Sequence, residues 1–159
     1  MIPVTLQMVG NATLLDLRKT AFLSSRRTSS AAALKCHEWA LDVRNSAQCV
    51  ITGAQSALEK HVFTLLLAGS QPLILVLARA LWQEIPAYLR PAIGSGRLLA
   101  ISPIASTATR VTQESALARN RYIIREANEI VFGSLDESGS LASLLREFPA
   151  LPYRILSPV

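Results

Sequence analysis

An α/β fold, built on a mostly parallel, doubly wound sheet with helices on both faces, is what this sequence predicts. Two observations carry the prediction. Five short apolar runs, at residues 20–24, 48–52, 72–78, 97–102 and 129–133, alternate with segments of helical period, and that alternation implies helical crossovers between parallel strands. The composition is 50% hydrophobic and 17% charged, with a mean hydropathy of +0.32, which suits strands buried on both faces and argues against disorder. At 159 residues the chain reads as one domain, 1–159, with residues 1–19 as a lead-in.

The elements follow in order. Asn11, after Gly10, is placed to cap a short helix over 12–17. The first strand, 20–24, ends in a basic loop, Ser25-Arg26-Arg27-Thr28-Ser29-Ser30, that supplies caps for a helix over 31–44. On that helix Ala33, Leu34, Ala40 and Leu41 form the apolar stripe, with His37 as a packed core histidine and Trp39 as packing. The second strand, 48–52, stops at Gly53, and a helix over 56–68 ends at Gly69. After the third strand, 72–78, Pro86 and Pro91 interrupt the helical region 79–93. Pro103 stops the fourth strand, and Thr112 caps a helix reaching residue 128. Beyond the fifth strand, Ser138 caps a short helix to 147, and 152–156 forms an edge strand where proline is tolerated. This is the order of a single Rossmann-like domain. With the common strand order third-second-first-fourth-fifth, the winding would reverse between the first and fourth strands.

The formal charge of +5 and pI near 9.8 favour anionic partners. Cys36 and Cys49 lack CxxC spacing, and with His37 and His61 as the chain's histidines no zinc site is expected. Two reduced, buried thiols are the expectation. The apolar stretch 61–82 is broken by Gly69-Ser70-Gln71-Pro72 and carries Arg79, so it falls short of the roughly 20 residues of a membrane span. No signal-peptide order opens the chain. A soluble, cytoplasmic protein is expected.

The candidate site gathers at the carboxyl ends of the strands, where open α/β sheets hold ligands. Arg26 and Arg27 follow directly on a buried strand. The helix over 113–127 buries Ala116, Leu117, Ile123, Ile124 and Ala127, with Asn120 in the stripe and Arg119 and Arg121 about 100° to either side. Ser138, Gly139 and Ser140 bring hydroxyls and unhindered N–H groups to a helix start. Guanidinium forks and free N–H groups suit phosphate oxygens. Asp136 and Glu137 would repel phosphate and are expected to face solvent or pair with arginine. Neither GxGxxG nor a Walker A pattern occurs where needed, no Ser/His/Asp set is suggested, and His61 reads as a helix-surface residue. Catalysis, a metal and a cofactor are not expected.

These residues resemble the core of the DNA-processing protein A family. That family shows Gly-Asn-x-x-Leu-Leu and Gly-Ser/Thr-Arg-Arg-x-Ser. They appear here as Gly10-Asn11-Ala12-Thr13-Leu14-Leu15 and Ser24-Ser25-Arg26-Arg27-Thr28-Ser29, with Ser24 for the glycine. Its Arg-Asn-Arg-x-Ile-Ile is matched by Arg119-Asn120-Arg121-Tyr122-Ile123-Ile124, and its Ser-Gly-Ser-Leu by Ser138-Gly139-Ser140-Leu141. Thr52-Gly53 with Leu58-Glu59 is a looser match to a Ser-Gly turn and a following acid. The departures are Ala57-Leu58-Glu59 for Gly-Ile-Asp, Ser102-Pro103-Ile104 for Glu-x-Pro, and Ala116-Leu117 for Phe-Pro.

The resemblance implies non-enzymatic binding of single-stranded DNA and its loading onto a recombinase, with a homodimer as a further expectation. By analogy Arg26, Arg27, Arg119 and Arg121 contact phosphates. Ser25, Ser29, Gly53, Asn120, Ser138, Gly139 and Ser140 shape or orient the site. The rival within the superfamily is a small-nucleotide-binding or nucleotide-sensing domain. A phosphoribohydrolase is disfavoured because residues 133–140 lack its Pro-Gly-Gly-x-Gly-Thr turn.

Overall fold

The computed structural model of this chain describes residues 6–105 and 107–157. Its centre is β2 (Lys19–Leu23), a strand buried at every position. Around it lie β3 (Cys49–Thr52), β4 (Leu73–Val76), β5 (Leu98–Ser102) and β6 (Glu129–Phe132), all parallel to their neighbours. Two edge strands complete a seven-stranded sheet in the order β1-β5-β4-β3-β2-β6-β7. β1 (Gln7–Gly10) runs antiparallel to β5, and β7 (Tyr153–Ile155) parallel to β6.

The strands alternate their side chains between two helical layers, as the period of two requires. Ala21, Leu23, Ile51, Ile74 and Phe132 pack on one face with Ile123 and Ile124 of α4 (Gln113–Glu126) and Leu141 and Leu144 of α5 (Ser140–Leu145). Phe22, Val50, Leu73 and Leu75 pack on the other face. There they meet Cys36 and Trp39 of α1 (Ser30–Val43), Val62, Phe63 and Leu66 of α2 (Ala57–Leu67), and Ala92 of α3 (Arg90–Gly94). Phe22 stacks on Trp39 with ring centroids 5.1 Å apart. Both cysteines are free and buried, and burial pushes each thiol up to about 11.

The doubly wound, mostly parallel sheet follows the sequence reading, and the strand order departs from it. β5 lies beside β4, and β6 lies beside β2. The connection from β4 to β5 holds only a short 3-10 helix (Ala87–Leu89) and α3, so β5 settles next to its predecessor. α4, on the opposite face, then returns the chain across the sheet to β6. The winding therefore reverses between β2 and β6.

Other local readings also change, among them Leu117 of α4, expected in the buried stripe and 37% exposed. The lead-in contains β1, which ends at Gly10 with φ 110°, and a Cβ there would collide with the Leu98 carbonyl. Asn11 then caps the short 3-10 helix Ala12–Asp16 as expected, accepting from the Thr13 amide. On α1 the buried stripe is Ala32, Cys36, Trp39, Ala40 and Val43, while Leu34 is 58% and Leu41 39% exposed. The face carrying Cys36, Trp39 and Val43 packs on the sheet instead, about 100° around the helix from the alanine–leucine stripe. That rotation brings His37 out of the core. Finally, Gly139 is the N-cap of α5, with no side-chain cap, because the Ser138 hydroxyl is bonded to Asp136.

No helix among the described residues is long and apolar enough to cross a membrane.

Candidate functional site

A crevice of about 850 Å³ opens at the carboxyl ends of β2 and β3, beside the β2–β6 reversal. Its rim on one side is the loop after β2, with Ser24, Ser25, Arg26 and Arg27. The start of α2 contributes Gln55, Ser56, Ala57 and Glu59. α4 presents Gln113, Ala116, Leu117 and Asn120, spaced to share one helical face. Asp136, Gly139, Ser140 and Leu141 close the remaining side.

The loops at the reversal are tied together by short polar contacts. The Ser25 amide donates to the Ser134 carbonyl at 3.0 Å, and the Ser134 amide donates to the Ser24 hydroxyl at 3.1 Å. The Asp136 amide donates to Ser25 Oγ at 2.9 Å, and Ser134 Oγ donates to the Arg27 carbonyl at 2.8 Å. The backbone beneath Arg26 and Arg27 is thereby held from the β6 side. Both arginine side chains are exposed, and neither has a carboxylate within ion-pair distance among the described residues.

Arg119 is the deepest charge, only 2% exposed. Its Nε donates to Asn120 Oδ1 at 2.7 Å, and its Nη1 makes a long 3.4 Å contact to the Gly53 carbonyl. Its other N–H donors have no acceptor among the described residues. Burial pushes this guanidinium below its ordinary value, against the opposing pull of the Glu59 carboxylate. Glu59, 3% exposed, does not form an ion pair with it. Its two oxygens accept the Ser24 amide at 3.0 Å and the Gln55 amide at 3.1 Å. Glu59 therefore binds two crevice loops together from the first turn of α2, where a carboxylate is favoured by the helix dipole.

Gly53 serves this arrangement by its missing side chain. A Cβ there would lie 2.5 Å from Arg119 Nη1. The next residue, Ala54, has φ 48°, the one non-glycine positive φ among the described residues, and that turn brings Gln55 and Ser56 to the crevice.

The structure gathers Ser25, Arg26, Arg27, Arg119, Asn120, Gly139 and Ser140 around the crevice and places Gly53 against Arg119. It does not gather the others. Arg121 does not line the crevice; its Nε and Nη2 bond the two oxygens of Glu147 at 3.2 and 3.0 Å. Residues two apart on a helix diverge by about 200°, so Arg119 and Arg121 cannot share one small ligand. Ser29 caps α1, its hydroxyl accepting from the Ala32 amide. Ser138 turns to Asp136, which accepts its amide and hydroxyl at 3.0 and 2.8 Å. Those bonds hold the Asp136 carboxyl below its ordinary value, with Arg27 contributing attraction. Asp136 lines the crevice rather than facing solvent alone, whereas Glu137 is exposed. Gln113 joins the crevice without having been singled out from the sequence. The signal available for Gln113 was its helical spacing with Ala116 and Asn120.

No protein-family model matches the chain, and no curated protein does. Solved structures do. DNA processing protein A from Helicobacter pylori superposes with a TM-score of 0.74 at 20% identity, covering 96% of this chain and 72% of that one. The fold is similar to that of DNA processing protein A. The Streptococcus pneumoniae DNA processing protein A also gives a TM-score of 0.74, at 17% identity. The match covers 96% of this chain, which spans 54% of that longer protein. The H. pylori DNA processing protein A is described as binding single-stranded DNA. At these identities the likeness to DNA processing protein A is one of fold.

Proposed function

We propose that this domain binds single-stranded DNA non-enzymatically, through the phosphates, in the crevice between the loop after β2 and α4. The observation that carries the reading is Arg119, a buried guanidinium with no ion-pair partner among the described residues, lining the same crevice as the exposed Arg26 and Arg27. A buried, unpaired cation is costly, and an anion that enters offsets the cost. Asn120 supports this polarity: its Oδ1 is held by Arg119, so its amide N–H₂ is the end left for a ligand. Ala116, Leu117 and Leu141 supply an apolar wall for a sugar or base. By resemblance to the DNA-processing protein A family the bound strand is handed to a recombinase and the protein acts as a homodimer; its place of work in this reading is the cytoplasm.

The rival occupant is a mononucleotide. One feature favours it: among the described residues no aromatic side chain lines the crevice, whereas binders of single strands commonly stack bases on aromatics. Fluorescence anisotropy with a labelled single-stranded oligonucleotide, competed by duplex DNA and by mononucleotides, separates the two. If Arg26, Arg27 and Arg119 each neutralise one phosphate, log K falls against log salt with a slope of about −2. Salt-sensitive binding that mononucleotides do not displace supports the DNA reading. Ready displacement by one mononucleotide transfers the site to a nucleotide sensor. An oligonucleotide that does not bind at low salt overturns the proposal.

A further inference from the structure

On the opposite side of the sheet from α4, the rotation of α1 that expels His37 from the core sets it against His61 of α2. His37 Nδ1 lies 2.9 Å from His61 Nε2, and the two rings stack with centroids 5.2 Å apart and planes inclined by 24°. His61 is exposed and His37 half-buried, so the pair is open to solvent, and neither ring lines the crevice. We propose that His37 and His61 form a two-imidazole chelate for a divalent late transition-metal ion, with Cu(II) as its best occupant, clamping α1 to α2. The proposal does not depend on what the crevice binds.

The separation is short enough for both rings to reach one ion. Metal–imidazole bonds of roughly 2.0–2.1 Å combined with this nitrogen separation give an N–metal–N angle of roughly 90°. That is the cis angle of a tetragonal or square-planar ion. A tetrahedral ion such as Zn(II) would require the nitrogens to spread to roughly 3.3 Å. The affinity order of divalent first-row ions also peaks at copper for nitrogen ligands. Hard ions such as Mg(II) prefer oxygen and gain nothing here.

The proton balance is simple. In the hydrogen-bonded pair one facing nitrogen carries a proton and the other accepts it. Binding the metal needs lone pairs on both facing nitrogens, so the donor ring moves its proton to its distal nitrogen through solvent. A neutral pair thus binds the ion by a change of tautomer, with no net proton release. A protonated pair releases its extra proton, so acid opposes binding. No third His, Cys, Asp or Glu gathers with the two rings among the described residues, and water fills the other positions.

The clamp joins the middle of α1 to the first turns of α2, the helices that follow the Arg26–Arg27 loop and the Gln55–Glu59 turn. Binding only the folded arrangement raises the melting temperature in proportion to the logarithm of free metal.

The test uses the full chain, titrated with CuCl₂ in a weakly coordinating buffer and followed by calorimetry, by melting temperature and by electron paramagnetic resonance. The expected result is one copper per chain, nitrogen hyperfine structure, and a melting-temperature rise reversed by EDTA. His37→Ala and His61→Ala should each weaken binding by more than the roughly 10–100-fold typical of losing an outer-shell partner. His61→Ala, at an exposed position, keeps the test interpretable should the half-buried His37→Ala misfold. MgCl₂ should produce no shift. A copper response unchanged in His61→Ala, or a spectrum lacking nitrogen coupling, overturns the proposal.

Discussion

Adding one carbon at Gly53 tests the site more sharply than removing an arginine. The Gly53→Ala Cβ would sit 2.5 Å from Arg119 Nη1, 2.6 Å from Cζ and 2.8 Å from Nε. Ordinary non-bonded contact is about 3.5 Å, so the guanidinium must retreat by about 1 Å. Gly53 does not adopt a positive φ, so alanine is tolerated by the backbone itself. The retreat breaks the contact to the Gly53 carbonyl and strains the 2.7 Å bond to Asn120. Hydrogen bonds to a charged group are worth about 1.5–3 kcal/mol. If Arg119 holds a phosphate, oligonucleotide affinity should fall by roughly 10- to 150-fold without any change of charge. Anisotropy gives the affinity, and urea denaturation confirms that the variant is folded. Arg26→Ala, at an exposed position, is the companion: affinity falls and stability stays within about 0.5 kcal/mol. A folded Gly53→Ala protein that binds like wild type would refute the role given to Arg119.

Other outcomes follow from particular side chains. Ala54→Gly relieves the left-handed strain at φ 48° and should stabilise by about 1 kcal/mol in urea denaturation; a destabilised variant would show that the Ala54 methyl packs usefully. The Tyr122 hydroxyl is buried without a partner among the described residues, and burial, reinforced by Glu126, pushes it up to about 12. Tyr122→Phe should therefore be neutral or stabilising by about 1 kcal/mol, read from the same denaturation midpoint. Hydrogen bonds from Ser138 depress the Asp136 carboxyl below its ordinary 3.8. Its charged form therefore favours the folded state at neutral pH, and that contribution disappears as pH falls below the ordinary value and through the folded one. Ser138→Ala should move the Asp136 titration upward in an NMR pH series; an unmoved carboxyl would remove the Ser138 hydroxyl as its main cause.

The sequence was a good guide wherever a signal is local. Each apolar run became a strand because five or so consecutive buried residues between turn residues have few other uses. Asn11 and Thr112 cap as their positions suggest, since a cap acts on amides two or three residues away. Arg26, Arg27 and Asn120 reach the crevice because the loop after a parallel strand and the adjoining helix open at the same end of the sheet. α1 marks the limit: two stripes lay about 100° apart, and tertiary packing, Trp39 on Phe22 among its contacts, selected between them.

What the sequence determined by itself was the series of elements, the class of sheet they build and most of the residues at its carboxyl end. Tertiary structure alone decided that β6 lies beside β2, that Gln7–Gly10 closes the far edge, that Arg119 turns inward while Arg121 leaves for Glu147, and that His37 meets His61. The reason is one of range. Secondary structure follows from a few neighbouring residues, whereas strand order and side-chain partners are settled by contacts between residues far apart in the chain.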